Sequence, residues 1–310
     1  MGDIKIGLAL GGGSARGWAH IGVLRTLIKA GFEPDIVAGT SIGAIVGGAY
    51  AAGRLDELEA FARAIDRRMI WRLVDVNLGK GGGLVVGERV AQKLTEIIGD
   101  RDIESLERKF AAVATELPAG HEVWIETGNL IAAMRASYAM PGIFVPTMLN
   151  DRALIDGGIA NPVPVSACRA MGARIVIAVP LPAAHSPSER FVRETPEAEL
   201  SAWKKATAAF REPERFVARQ LFGDEPGALT TASVSVAALN ILLDRMTRVR
   251  LASDPPDVTV ASEIGRIALL EFDRAEEAIA IGTAATERVL PEIEGLVRES
   301  QSHHVREPKP

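Results

Sequence analysis

The chain has 310 residues, 47% apolar and 24% charged, enough for one large domain or two ordinary ones and too apolar for a disordered chain. Its net charge of −5 provides no basic footprint, so no nucleic-acid partner is expected. A single cysteine, Cys168, excludes an intrachain disulfide and a cysteine metal cluster, and fits a reducing compartment. The opening Met1-Gly2-Asp3-Ile4-Lys5 lacks the charged-then-apolar pattern of a signal peptide, and Ile6 stands where myristoylation requires Ser or Thr, so a cytoplasmic location is expected.

In chain order, Lys5 to Leu10 reads as an apolar strand, broken by Gly11-Gly12-Gly13. Residues 15–30 read as a helix with Ala19, Val23, Leu24, Leu27 and Ile28 on one face. A second strand, 35–38, runs into a turn at Ser41 and a helix to about Ala52. No residue from Ile36 to Gly53 is charged, a stretch about as long as a membrane span. Five glycines interrupt it and large aliphatics are few, so strand, turn and small-residue helix fit better. A helix over 56–68, a Gly-rich loop over 78–87 and an amphipathic helix over 88–98 follow. Residues 110–115 and 122–127 read as paired strands, 129–138 as a helix, 153–155 as a short strand entering Asp156-Gly157-Gly158, and 174–179 as an apolar strand. Beyond lie a long helix over 233–251, a last strand over 258–261 and a last helix over 272–290. Strand alternating with helix predicts an α/β fold: a mostly parallel central sheet with helices on its faces.

Gly39-Thr40-Ser41-Ile42-Gly43 matches G-x-S-x-G, in which small neighbours let a serine project from a sharp strand-to-helix turn beside a helix N-terminus. The bland alternative is a serine that only caps the helix. Gly11-Gly12-Gly13-Ser14-Ala15-Arg16-Gly17 fails as a dinucleotide fingerprint, because its glycines miss the required spacing, and it lacks the Gly-Lys-Ser/Thr of a P-loop. Two readings remain: a plain turn, or an oxyanion hole built from unobstructed backbone N–H groups, with Arg16 adding charge or locking the loop.

A serine hydrolase needs a base. The five histidines are poorly placed: His20 follows the glycine loop on a helix, His121 starts a strand, His185 lies in an irregular stretch, and His303 and His304 lie near the terminus. Asp156, delivered by a short strand into a glycine turn, is the better candidate; its competing reading is an aspartate that merely opens a turn.

Together these segments resemble the patatin-like phospholipases, and more closely the bacterial esterases related to the neuropathy target esterase catalytic domain. The glycine loop with His20-Ile21-Gly22-Val23-Leu24 is similar to the family's oxyanion loop and first helix. Residues 39–43 are similar to its nucleophile turn, 156–158 to its D-G-G/A motif, and 135–144 to a further segment ahead of that aspartate. Asp257-Val258, Phe272-Asp273-Arg274-Ala275 and Gly282 resemble the segment that closes the subgroup's domain. The resemblance implies a three-layer α/β/α fold and hydrolysis of lipid acyl esters by a Ser41–Asp156 dyad. Gly11, Gly12, Gly13 and Arg16 would form the oxyanion site, with no cofactor and no metal.

The domain plan that follows is a catalytic core over 1–182, an insertion over 183–232, a C-terminal helical part over 233–295 and a flexible tail over 296–310. In the insertion, Trp203, Phe210, Phe216 and Phe222 alternate with Lys204, Lys205, Arg211 and Arg219. Residues 200–222 therefore read either as a lid or peripheral membrane contact, or as packing against the core or a partner chain. Other functions left open are acyl transfer at the same site and a regulatory adaptor that binds a partner protein.

Overall fold

The computed structural model describes residues 4–77, 82–182 and 231–306. The segment read as an insertion falls almost wholly outside these residues, as do Trp203, Phe210 and His185.

Four strands are built around apolar runs and are buried along most or all of their length: β1 (Ile6–Leu10), β2 (Ile36–Thr40), β4 (Lys109–Leu117) and β9 (Ile175–Val179). Such runs are what a parallel sheet covered on both faces requires. β1 pairs in parallel with β2 and β9, β2 with β4, and β9 with β10 (Val258–Thr259). Three strands join antiparallel: β5 (Glu122–Ile125) and β8 (Arg152–Asp156) on β4, and β7 (Thr147–Leu149) on β8. The sheet has eight strands in the order β10-β9-β1-β2-β4-β8-β7, with β5 also on β4.

Alternation along the strands divides the core between the two faces. Leu8, Leu10, Val37, Phe110 and Val179 face the larger core, packed by α1 (Ala19–Lys29), α2 (Ile42–Ala51), α3 (Leu55–Ala64), α5 (Glu88–Ile98), α6 (Leu130–Tyr138) and α9 (Ala275–Arg306). The opposite face presents Ala9, Ala38, Ala111 and Ala178 to α7 (Val165–Ala170), with Leu251 of α8 (Thr231–Ser253) at its margin. Small residues on that face allow α7 to lie close. The result is the three-layer α/β/α architecture with a mostly parallel sheet.

Several boundaries differ from the sequence reading. The first helix begins as a 3-10 turn, Ser14–Trp18, before α1, because Gly13 and Ser14 take up extended and left-handed backbone angles that an α-helix cannot start from. The 56–68 helix splits at Ile65 and Asp66 into α3 and α4 (Arg67–Leu73); Asp66 accepts from Met69 N–H and caps the second. The Gly-rich 78–87 stretch holds a strand, β3 (Gly83–Val85), paired in parallel with β6 (Gly142–Phe144). α9 continues to Arg306, through the polar residues that read as a tail.

α9 crosses α1 at very short range. A Cβ built on Gly282 would lie 2.0 Å from Ala19 O, and one on Gly22 would lie 2.1 Å from Ile279 O. Only hydrogen fits at both positions. Replacing Gly22 or Gly282 with alanine should force the helices apart at a cost of about 1–3 kcal/mol each. Thermal unfolding followed by circular dichroism should show both variants melting below the wild type, and an unchanged melting temperature would contradict the close crossing.

Candidate active site

Strand register brings the two candidate residues together. Thr40 at the end of β2 pairs with Val113, and Asp156 at the end of β8 pairs with Ala114, the next position on β4. Ser41, one residue past Thr40, therefore emerges beside Asp156 although 115 residues separate them. Its backbone takes φ 57° and ψ −121°, an uncommon conformation for a residue with a side chain. Glycine neighbours make this possible: a Cβ on Gly39 would lie 2.4 Å from Gly43 O, and one on Gly43 would lie 2.2 Å from Leu10 O.

Ser41 Oγ donates to Asp156 Oδ2 at 2.6 Å, and both residues are buried. Asp156 Oδ1 accepts from Gly158 N–H at 2.8 Å, while its backbone is fixed by Thr115 Oγ1 donating to its carbonyl and by its own N–H donating to Ala139 O. Burial pushes the Asp156 carboxyl up to about 6, against hydrogen bonds from Ser41 and Gly158 that lower it. At neutral pH it is thus largely ionised, yet basic enough to take a proton.

Ser137, a residue that pattern reading passed over, holds the turn. It donates to Val113 O at 2.6 Å and accepts from Ser41 N–H at 2.8 Å, tying the turn to β4, the strand with which the Asp156-bearing β8 pairs. Thr40 Oγ1 adds a bond to Asn161 O at 2.8 Å. The signal available beforehand was a hydroxyl in the last turn of a largely apolar helix.

The glycine loop divides. Gly11 N–H donates to Val179 O at 3.1 Å and Gly12 N–H to Pro162 O at 3.0 Å. Both amides, expected from the sequence as oxyanion donors, are instead occupied in fastening the loop to the sheet. Gly13 and Ser14 have no protein acceptor for their N–H groups among the described residues, and both border a small cavity with Ser41 and Asp156. Ser14, with φ 52°, was not singled out by the sequence. Arg16 is buried on the same wall, and its Nε donates to Ile267 O at 2.8 Å, so it locks the loop to the C-terminal part of the chain.

The histidines lie elsewhere. His20 Nε2 is 2.8 Å from Gly11 O and must carry a proton to donate there; burial lowers its pKa to about 4, so it is a neutral strut under the loop. His121 is exposed beside Glu116. Among the described residues no histidine partners Ser41.

On the other side of Ser41 lies an apolar cavity of about 180 Å³. Ile45, Phe61, Val90, Leu94 and Phe272 line it, and the short β3–β6 sheet closes it with Val85 and Phe144. Lys93 is the charged residue on its wall, and it pairs with Glu96. No group of three or more metal-ligating side chains occurs among the described residues. None of the described helices is long and apolar enough to cross a membrane.

By geometry this is an α/β protein with a buried serine–carboxylate pair at the carboxyl ends of its parallel strands. Residues 8–169 match the family model described as patatin-like phospholipase, and the chain belongs to that family. An uncharacterized NTE family protein of Mycobacterium tuberculosis is 34% identical over 94% of this chain and 92% of its own length. The lysophospholipase nte1 of Emericella nidulans is 33% identical over 56% of this chain, which is 12% of that much longer protein. VipD from Legionella pneumophila covers 94% of this chain and 67% of its own at a TM-score of 0.45 and 13% identity.

The burial of Asp156 has a consequence for stability. A folded-state pKa raised from 3.8 to about 6 means the neutral carboxyl suits the site and the ionised one does not. Its contribution to stability is full below 3.8 and lost as pH rises through about 6. The difference corresponds to ~3 kcal/mol. Asp156→Asn should therefore melt above the wild type at pH 8, with the gap closing towards pH 4. Melting curves across that range test it, and a gap independent of pH would count against a desolvated carboxylate.

Proposed function

We propose that this protein is a serine acyl-ester hydrolase of lipids in which Ser41 and Asp156 act as a dyad. The observation that carries the reading is the 2.6 Å hydrogen bond from Ser41 Oγ to Asp156 Oδ2, at the mouth of an apolar cavity. Membership of the patatin-like phospholipase family supports the lipid class of substrate. So do relatives that carry the name lysophospholipase.

An ester enters with its acyl chain in the apolar cavity and its carbonyl carbon beside Ser41 Oγ. Asp156 takes the hydroxyl proton as the oxygen attacks. The negative charge that develops on the carbonyl oxygen is met by the Gly13 and Ser14 N–H groups and by the N-terminal end of α2. Asp156 then gives its proton to the departing alkoxide, which leaves as a neutral alcohol. Water, activated by the same carboxylate, cleaves the acyl-enzyme and restores Ser41. The dyad needs no metal and no cofactor. Burial is what equips Asp156 for both transfers, because an aspartate with its ordinary pKa would be too weak a base.

Incubation with a fluorophosphonate probe should label the wild type and leave Ser41→Ala unlabelled; labelling that persists in that variant would overturn the assignment. Asp156→Asn should lower kcat by ~10³-fold or more, since it removes the base and acid together. In the wild type kcat/KM should rise with pH through a single ionisation near 6, the pKa of Asp156. A second test concerns the cavity. Val90→Trp would fill the space beside Ile45 and Leu94. Hydrolysis of long-chain p-nitrophenyl esters should fall by ~10-fold relative to the acetate, as expected when a methylene-sized mismatch or more is imposed on a tight pocket. Equal effects on both esters would place the acyl chain elsewhere.

A further inference from the structure

Two cavities meet at Ser41, and their chemistry differs. The apolar one takes the acyl chain in the hydrolase reading, on which the following rests. The other, of about 40 Å³, has Ser41, Asp156 and Arg16 on its walls and is covered by α8 through Asn240, Leu243, Asp244 and Thr247. One water needs only ~10–15 Å³ of such space, so a small organic group fits, whereas a second acyl chain does not.

α8 is fixed over this cavity by bonds to the turn that follows Asp156. Arg250 Nε donates to Ala160 O at 2.9 Å, and its Nη2 pairs with Glu122 at 3.2 Å. Leu243 lies over Gly158: a Cβ built there would be 3.2 Å from Leu243 Cδ2. About two turns of the helix thus present polar side chains to the cavity.

Asp244 stands out among them. Its side chain is 6% exposed, and Oδ2 accepts from Arg248 at 2.6 Å. Oδ1 has no protein donor among the described residues. Oδ1 is not sealed from solvent, so a ligand hydroxyl that enters the cavity can donate to it. Neither does the Asn240 amide have a protein partner among the described residues. Thr247 Oγ1 donates to Leu243 O at 2.8 Å and keeps its lone pairs for a ligand. The wall carries Arg16, Asp156 and Asp244, and Arg248, paired with Asp244 from outside the cavity, offsets the second carboxylate. A phosphate held here would face both Asp156 and Asp244, and an ammonium would face Arg16. A neutral hydroxyl meets no such repulsion: it can donate to Asp244 and accept from Asn240.

We propose that this cavity is the leaving-alcohol subsite, and that Asp244 and Asn240 make it selective for a neutral alcohol with a free hydroxyl on the carbon next to the ester-bearing one. Acyl transfer forms the Ser41 Oγ–carbonyl carbon bond and breaks the bond from that carbon to the alcohol oxygen. That oxygen takes the proton which Asp156 received from Ser41 and departs through the polar cavity. Asp244 and Asn240 bind the alcohol; they exchange no proton with it.

The test uses the full-length protein and esters with one common acyl chain: monooctanoylglycerol, propyl octanoate, octanoylcholine and the phosphorylated form of the glycerol ester. A hydrogen bond to a charged group predicts that kcat/KM for monooctanoylglycerol exceeds each of the others by ~10-fold or more. In Asp244→Asn the glycerol-to-propyl ratio should fall several-fold, and in Asp244→Leu or Asn240→Leu further towards one; Arg248, being largely exposed, is solvated without its partner. Variants that lose both esters in equal proportion would reduce Asp244 to a structural role and overturn the proposal. So would a wild-type ratio near one, or a preference for the cationic or the phosphorylated ester. In each of those cases turnover of propyl octanoate leaves the hydrolase reading standing. Absence of turnover on every ester, with Ser41 unlabelled by fluorophosphonate, would take down both.

Discussion

The site depends on one feature of strand register. β2 and β8 finish on consecutive positions of β4, Val113 and Ala114, so the residue that follows one strand meets the last residue of the other. A shift of one residue would turn the Asp156 side chain to the opposite face of the sheet and break its contact with Ser41. Ser137 guards this arrangement from the side, because it bonds both Val113 O and Ser41 N–H. Thr115 does so from the strand itself through the Asp156 carbonyl. The 2.6 Å contact between serine and carboxylate is therefore the outcome of backbone pairing, with side-chain hydroxyls as its fasteners.

That contact sits where folding would rather not put it. A buried carboxylate with few donors disfavours its own ionised form, and Ser41 occupies a backbone conformation that costs free energy. Both are tolerated because the surroundings leave no alternative. The sheet is covered on two faces, and the glycines at 39 and 43 admit no Cβ. Stability given up at this point is the same quantity that raises the basicity of Asp156. The chemistry proposed for the site and the penalty it imposes on the fold have a common cause in desolvation.

The space around Ser41 is divided by polarity. Apolar side chains from α2, α3 and α5 and from the short β3–β6 sheet enclose one side. Polar groups from the glycine loop and α8 enclose the other. An acyl ester has the same division, with a hydrocarbon chain on one side of its carbonyl and an alcohol on the other. The walls come from parts of the chain far apart in sequence, and two contacts with the C-terminal part keep them in register: Arg16 on Ile267 O, and Arg250 on Ala160 O.

Much of this was legible in the sequence wherever the cause was local. Apolar runs long enough for buried strands, the G-x-S-x-G turn, Asp156 at a strand end and the poor placement of His20 and His121 all depend on residues within a few positions of one another. The mostly parallel sheet with helices on its faces follows from strand–helix alternation for the same reason. What only the tertiary structure decided depends on partners distant in the chain. Which loop amides stay open was settled by Val179 O and Pro162 O, which claim Gly11 and Gly12 and leave Gly13 and Ser14. The roles of Ser137 and Arg16 are defined by the acceptors they reach, and β3 exists because β6 lies beside it. The second cavity appears only when α8 lies across the Asp156 turn. A sequence states which groups a chain carries; which of them remain unpaired is known only once every other group has taken its partner.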